Sequence, residues 1–251
     1  MATDRRRIQG PEASVAPIIL KSPNKIQLLD ENLCRHNGRN LEDIRSISNG
    51  SAFIELNKTK IVCGVYGPRQ TKIPAFSGKG NLNCEIKFAP FSCPKRRPPY
   101  RDSQEKELSQ LIYEALTPSI RLDLLPKSTI DIYITILEND GTASCLAAAI
   151  TCASVAVADA GIEMLDLVPA CSASYINGHI FMDSDLIEEK RESGSLVLSY
   201  MPSLKEITHI LQSGEVELNL TSQAIEQCTD SCSKIYSIMI DSLLLPIQNI
   251  K

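Results

Sequence analysis

A short turn and the helix expected after it have the residue types that bind an anion. Residues 139–142, Asn-Asp-Gly-Thr, come directly before a long apolar run, so the first amides of a helix would point at an anion held there. Phosphate-binding loops of this kind usually add a fixed positive charge. From Ser128 to Glu189 the chain has neither lysine nor arginine. The pattern indicates the frame of a phosphate-using enzyme without the charge that its chemistry needs.

Positive charge is concentrated in a proline-rich loop over residues 93–102 instead. Its cations are Lys95, Arg96, Arg97 and Arg101. Because prolines hold these side chains away from the fold, one interpretation is sequence-independent contact with RNA phosphates. The alternatives are a solvated loop and salt bridges at a subunit interface.

The nine cysteines do not predict a metal site. None of them forms a CxxC pair, and Cys228 and Cys232, which would share a helix face, have no histidine nearby. Several lie in apolar runs, where cysteine acts as a small hydrophobic residue. We therefore expect reduced thiols in the core and no bound metal or cofactor.

Composition limits the classes of protein that this chain can represent. Its 251 residues are 43% hydrophobic and 22% charged, which is typical of a globular protein with a core. A net charge of −4 argues against a free-standing nucleic-acid binder. The apolar run 143–160 contains Ser, Thr and Asp, which favours a buried helix over a membrane span. We expect a soluble protein that does not contact membranes.

Hydrophobic periodicity predicts strands that alternate with helices in two similar halves. Strands are expected over 51–57, 60–67, 81–89, 128–138, 170–176, 179–183, 195–201 and 206–214. Gly67-Pro68 is expected to end the second strand, and Asn177-Gly178 predicts a hairpin turn. Helices are expected over 103–120 with Ser103 as N-cap, over the run that stops at Gly161, and from about Thr221. The fold class is α+β, with a flexible arm at 1–16 and a single domain over 17–251.

Several segments resemble the ribonuclease PH family, including the ring subunits of the RNA exosome. They are GSAFIELNKTKIVCGVYGPR (50–69), KELSQLIYEALTPSIRLDLLPKSTIDIYITILENDG (106–141) and ITCASVAVADAGIEMLDLV (150–168). The resemblance runs from about Ile44 to the C-terminal helix. It implies a ribonuclease PH-like fold of the ribosomal protein S5 domain 2-like kind, with two pseudo-repeated β-rich halves and packed helices. Such subunits form a ring around an RNA channel.

The family's catalytic motifs carry over only in part. Active members have a Gly-Thr-Arg turn that holds phosphate, whereas this degenerate loop is Gly141, Thr142, Ala143 and Ser144. Active members also have paired arginines before the preceding helix, where this chain has Ser103 and Gln104. Two acids on and after the late hairpin strand correspond to Asp183 and Glu189. The resemblance therefore implies a subunit without catalytic residues of its own.

The function expected from this resemblance is to scaffold the exosome channel for 3'-to-5' RNA processing and degradation. The implied partners are other ribonuclease PH-like ring subunits, S1/KH cap subunits, a catalytic nuclease and RNA. The implied location is the nucleus, the nucleolus and the cytoplasm. The alternatives are an active phosphorolytic exoribonuclease, with cations from a neighbour or from Arg101, and an independent RNA-binding module.

Overall fold

A computed structural model of the protein describes residues 48–70, 78–97, 100 and 102–248. All of them belong to one compact unit, and they form two sheets of four strands each and four α-helices. The α+β class is confirmed. The predicted arm at 1–16 lies outside the described residues, as does Arg101.

The first sheet has the strand order β1-β2-β4-β3. Its strands are β1 Gly50–Leu56, β2 Thr59–Gln70, β3 Asn81–Phe88 and β4 Ser128–Glu138. Successive side chains of β4 point to opposite faces of the sheet. Ile132 and Ile134 are therefore buried, while Tyr133 between them is 46% exposed. Strand β3 runs parallel to β4 because helix α1, Ser103–Leu116, carries the chain back between them.

The second sheet has the order β6-β5-β7-β8 and is antiparallel throughout. Its strands are β5 Ala170–Ile176, β6 His179–Met182, β7 Gly194–Met201 and β8 Glu206–Gly214. The predicted hairpin is confirmed, with positive φ at both Asn177 and Gly178. Helix α3, Leu186–Glu189, connects β6 to β7, and helix α4, Leu218–Gln248, contacts β5, β6 and β7.

Helix α2, Thr142–Asp159, joins the two halves. It contacts β1 and β2 of the first sheet and β5 and β7 of the second. The small side chains around it permit this close packing, and the helix ends before Gly161, whose φ is +72°. Its length and mean hydropathy of 1.5 would allow it to cross a bilayer, but 83% of this segment is buried inside the protein. The sequence prediction of a buried helix is confirmed.

One predicted strand end is wrong. Strand β2 does not stop at Gly67-Pro68 but continues to Gln70, with an irregularity in its pairing to β4 between Tyr66 and Arg69. Pairing with β1 already ends at Val65. Proline has no amide hydrogen to donate. At position 68 this costs no hydrogen bond to β1, because β2 no longer pairs with β1 there.

The helix boundaries also differ from the prediction. Asp102, not Ser103, holds the N-cap position of α1, and the helix ends at Leu116, two residues before Pro118, which has no amide donor. Helix α4 begins at Leu218, ahead of the predicted Thr221. The four-residue helix α3 was not predicted, although Asp185 and Glu188 have the spacing of a capping box.

Candidate functional site

The loop at the start of α2 has the backbone of an anion site. The Asn139 side chain accepts a hydrogen bond from the Gly141 amide at 3.3 Å, which holds the turn. A Cβ on Gly141 would come within 2.7 Å of the Ser184 carbonyl oxygen. Glycine is therefore needed here for the close approach of the chain that follows β6. The loop and the segment leading into α3 form one site.

A carboxylate of the chain itself caps the N-terminus of α2. The Thr142 amide donates a hydrogen bond to Oε2 of Glu189 at 3.0 Å. Glu189 is the last residue of α3, and a capping box between Asp185 and Glu188 fixes the start of that helix. A phosphate bound here would accept a hydrogen bond from the Thr142 amide, and in this structure the Glu189 side chain accepts it. Sequence analysis identified Glu189 as an acid of the family motif but not as this cap.

The surroundings of this cap are acidic. Burial and the nearby Asp185 raise the pKa of Asp140, and Lys58 opposes the shift with Nζ 3.4 Å from Asp140 Oδ2. Burial and the charge of Glu189 raise the pKa of Glu192, although the Ser174 hydroxyl donates to its Oε2 at 2.6 Å. Burial is the main cause of both shifts, and the neighbouring carboxylates add to them by repulsion, so the site is rich in negative charge. Such a site disfavours a second anion.

Asp183, the other acid of the family motif, has different partners. It adopts a positive φ of 51° after β6, and its Oδ1 accepts a hydrogen bond from the Ser172 hydroxyl at 3.0 Å. Burial raises the pKa of Asp183, and the bonds from Ser172 reduce the shift. The residue lines a cavity of about 20 Å³ beside Ala147 and Thr151, in the middle of α2. The contacts of Asp183 are therefore distinct from those at the α2 N-terminus.

The cations of the proline-rich basic loop differ in how far they are exposed to solvent. Lys95 and Arg96 are exposed. Arg97 instead places Cζ 3.9 Å above the Phe88 ring and donates from Nε to Cys93 Sγ at 3.2 Å. It also pairs with Asp102 at 3.9 Å. The RNA-contact prediction stays a prediction for Lys95 and Arg96, whereas the fold holds the Arg97 guanidinium.

The charge of Arg97 nevertheless acts on the first turn of α2. Burial raises the pKa of the Cys145 thiol to about 12, and the positive charge of Arg97 works in the opposite direction. The positions matched to the family's paired arginines, Ser103 and Gln104, are neutral residues at the start of α1. Sequence spacing gave no sign that Arg97 would approach this turn.

The described residues contain no cluster of three or more His, Cys, Asp or Glu side chains arranged to hold a metal ion. The cysteines among them are free thiols, and most are buried. The raised pKa of buried thiols such as Cys228, about 12, leaves them protonated near neutral pH. These thiols therefore act as packing groups.

Two sheets pack around a shared helix, and the Thr142 amide at the N-terminus of that helix donates to a carboxylate of the chain itself. The chain belongs to the 3' exoribonuclease family, the ribonuclease PH family. The model of the family's domain 1 matches residues 40–163, and the model of domain 2 matches residues 166–231. The resemblance seen in the sequence is confirmed.

Individual relatives match over nearly the whole chain. The Schizosaccharomyces pombe protein named exosome complex component mtr3 is 36% identical over 97% of this chain and 96% of its own length. The Homo sapiens exosome complex component MTR3 is 33% identical, with the same coverage of 97% and 96%. The Cenarchaeum symbiosum exosome complex component Rrp41 is 34% identical over 87% of this chain and 93% of its own.

Two solved structures share the fold. Rice Rrp46 superposes with a TM-score of 0.69 at 23% identity, covering 78% of this chain and 89% of that one. An Archaeoglobus fulgidus exosome with RNA bound to the active site superposes with a TM-score of 0.65 at 18% identity, covering 75% and 82%. At these identities the comparison establishes the ribonuclease PH-like architecture.

Proposed function

We propose that this chain is a ring subunit of an RNA exosome core and performs no phosphorolysis itself. It would scaffold the channel that guides RNA for 3'-to-5' processing and degradation, in rRNA processing and mRNA decay. Relatives from fission yeast and human that match over nearly their whole length are named exosome components. Both of these relatives are named Mtr3, the subunit type that the sequence also resembles.

The observation that carries the non-catalytic part of this proposal is the bond from the Thr142 amide to Glu189 Oε2. Phosphorolysis needs inorganic phosphate at this turn, and the turn already holds a carboxylate. The neighbouring Asp140, Asp185 and Glu192 repel anions from this turn, and the nearby Lys58 is already paired with Asp140. Binding a phosphate dianion here would require the removal of Glu189 against that repulsion.

Missing cations support the same conclusion. Ala143 stands where active members of the family have the phosphate-binding arginine, and Ser103 and Gln104 stand where they have the paired arginines. Phosphoryl transfer depends on charge stabilisation and positioning, and losing two cationic groups would cost several kcal/mol, roughly 3 or more. We infer that the chain lacks the catalytic power of an exoribonuclease.

The partners of such a subunit would be other ribonuclease PH-like ring subunits, S1/KH cap subunits and a catalytic exosome nuclease. RNA would pass through the channel, with the exposed Lys95 and Arg96 as candidates for phosphate contact. The corresponding location would be the nucleus, the nucleolus and the cytoplasm.

The competing function is an active phosphorolytic exoribonuclease. The observation in its favour is the electrostatic influence of Arg97 on Cys145, in the first turn of α2. Against it, the Arg97 guanidinium is already held by Phe88, Cys93 and Asp102.

Phosphorolysis of a short unstructured RNA separates the two functions. The full-length chain is assayed with phosphate and magnesium, first alone and then co-expressed with the ring subunits of the same organism. A family member with the Gly-Thr-Arg turn serves as the positive control. We expect stable co-elution with the ring subunits and no nucleoside diphosphate from the isolated chain. Nucleoside diphosphate release by the isolated chain would refute the proposal, and Arg97→Ala and Arg101→Ala would then locate the replacement cation.

A further inference from the structure

The outer edge of strand β3 is closed by hydrogen bonds at both ends. Just before the strand, the Gly80 amide donates to the Leu122 carbonyl oxygen at 2.9 Å. Towards its end, the Ile86 amide donates to Ser109 Oγ of helix α1 at 3.0 Å. Such bonds satisfy backbone groups that an edge strand would otherwise leave open.

The middle of this edge is open. Backbone groups of successive strand residues point alternately to the two neighbouring sides, so Leu82 and Cys84 share the outward direction of Gly80 and Ile86. The Ala89 amide, of opposite parity, accordingly donates to β4. Within the described residues, neither the Leu82 nor the Cys84 amide has a hydrogen bond outside the sheet.

A groove of about 600 Å³ lies along this open part of the edge. Its floor is residues 82–84 of β3, one wall is α1 with Gln110 and Tyr113, and the opposite rim is Tyr133 of β4. We call this space the β3 groove. Its volume is that of a ligand site, and at about 3.3 Å per residue it accepts an extended segment of about four residues.

The β3 groove is lined by more acids than bases. Glu85, Glu105 and Asp131 contribute carboxylates, and Lys106 is the single cation among its described lining residues. Asn83 Nδ2 donates to Asp131 Oδ1 at 2.9 Å, which orients this carboxylate without neutralising it. The groove therefore attracts a cationic side chain.

Tyr133 offers such a cation an exposed aromatic ring. Its ring centroid is 5.7 Å from that of Tyr66 in an edge-on contact, which fixes its orientation. Gly64 is opposite Tyr133 on β2 and places no side chain beside it. A cation already stacks on this sheet face, since Arg69 Cζ lies 5.1 Å from the Tyr66 centroid.

We propose that the β3 groove binds a short, extended, arginine- or lysine-containing peptide segment of a transiently associating protein. The peptide backbone pairs with the open amide and carbonyl groups of Leu82 and Cys84 and adds a short strand to the first sheet. Its cationic side chain reaches the Asp131 carboxylate and the Tyr133 ring. Binding here does not depend on the function proposed above.

Size and charge favour this occupant over others. The backbone groups of two residues support a weak and reversible contact, whereas a permanent subunit interface buries well over about 1,000 Å². RNA phosphates are repelled by the carboxylates of the groove. A second copy of β3 would bring the same carboxylates into the groove, and like charges across a strand pair are unfavourable.

The first test measures binding of a fluorescein-labelled peptide, Gly-Thr-Arg-Val-Arg-Thr-Gly, by fluorescence anisotropy. The protein is the full-length chain, alone and in the complex co-expressed with the ring subunits of the same organism. One control peptide has Glu in place of both Arg, and another is N-methylated at Val and at the Arg after it, which blocks backbone pairing in either register. We expect both controls to bind at least about tenfold more weakly.

Three outcomes of this assay would overturn the inference. They are equal binding of the N-methylated or the Glu peptide, no binding of the arginine peptide up to about 1 mM, and loss of its binding in the assembled complex. The last would identify the groove as an interface between ring subunits. None of these outcomes affects the function proposed above, which the phosphorolysis and co-elution experiment tests separately.

The second test uses variants of the groove with matched controls. Tyr133→Ala is compared with Tyr100→Ala, at a tyrosine that is 78% exposed and does not line the groove. Asp131→Asn is compared with Asp230→Asn, at an exposed aspartate of α4. With circular dichroism and Tm unchanged, we expect each groove variant to bind the arginine peptide at least about fivefold more weakly, and each control to bind it as wild type does. Groove variants that match their controls would contradict the proposal.

Hydrogen–deuterium exchange locates the peptide on the strand. With saturating arginine peptide, we expect slower exchange in the fragment that covers residues 81–86. Unchanged exchange in this fragment, while the peptide is bound, would place it elsewhere and overturn the inference. Sedimentation that shows self-association of the isolated chain, abolished by Tyr133→Ala, would also overturn it by identifying a second copy as the occupant.

Discussion

At the scale of single residues, Glu189 provides a carboxylate from within the chain at the N-terminus of α2. Its carboxylate accepts the Thr142 amide bond at the positive end of α2, where the helix dipole favours negative charge. The cap satisfies a helix amide with a side chain of the fold itself, which helps to hold the loop in shape.

Removing this cap should destabilise the protein. We expect Glu189→Ala to lower the free energy of unfolding by about 1 kcal/mol, as for loss of a helix N-cap, and Glu189→Gln, which retains an acceptor, to lower it by less. Urea denaturation measures both values. Glu215→Ala, which removes an exposed acid away from the site, serves as the control and should change little. Equal stability of Glu189→Ala and the control would contradict the role of Glu189 as a cap.

Asp183 should affect stability through pH. Because its pKa is raised in the folded protein, the folded state keeps this proton to higher pH than the unfolded chain does. Stability should therefore fall as pH rises from the ordinary pKa of an aspartate, 3.8, through the raised folded value. Asp183→Asn removes this titration, and asparagine can still accept the bond from Ser172.

Urea unfolding of wild type and Asp183→Asn across this pH range tests the prediction. The stability of Asp183→Asn should decline less steeply with rising pH than that of wild type. Asp140 and Glu192, whose pKa values are also raised, titrate in both proteins, so the difference between the two curves reports Asp183 alone. Two curves of the same slope would show that Asp183 titrates normally.

At the scale of elements, β1 lies very close to the end of α2 at Gly50. A Cβ on Gly50 would lie 2.3 Å from the Ala160 amide nitrogen and 2.4 Å from the Ala156 carbonyl oxygen. Both are backbone atoms near the end of a packed helix, so neither can turn aside as a side chain would. The glycine sets the distance between strand and helix.

Gly50→Ala should therefore push β1 and α2 apart. We expect it to lower the free energy of unfolding by about 2–3 kcal/mol, the upper part of the range for overpacking. Gly78→Ala is the matched control, because a Cβ there meets nothing within 4 Å. Urea denaturation compares the two variants. A Gly50→Ala protein as stable as Gly78→Ala would mean that the contact relaxes without cost.

At the scale of the whole molecule, α2 makes the two similar halves one folding unit. Its residues Ile150 and Ala153 are fully buried, and the helix contacts strands of both sheets. Neither sheet can lose α2 without exposing its own apolar face.

Ile150→Ala tests this shared role. We expect a loss of about 2–5 kcal/mol for a buried Ile-to-Ala change, and faster hydrogen exchange in β1–β4 and in β5–β8 alike. Leu124→Ala, at a residue 48% exposed, is the control and should change neither sheet. Faster exchange confined to one sheet would show that the halves unfold separately.

The sequence by itself determined the main strands and helices and the lack of positive charge around the loop at the start of α2. Alternation in 128–138 predicted β4, the small apolar run predicted α2, and Asn177-Gly178 predicted the hairpin, because each depends on residues a few positions apart. The absence of Lys and Arg over 128–189 likewise needed only the sequence.

Only the tertiary structure decided how distant residues meet. Glu189 caps Thr142 across 47 residues, Arg97 packs on Phe88, and a bulge places Ile207 and Ile210 on one face. None of these follows from local periodicity. Such contacts depend on strand register and on the crossing of chain segments, which are set by the packing of all the elements together.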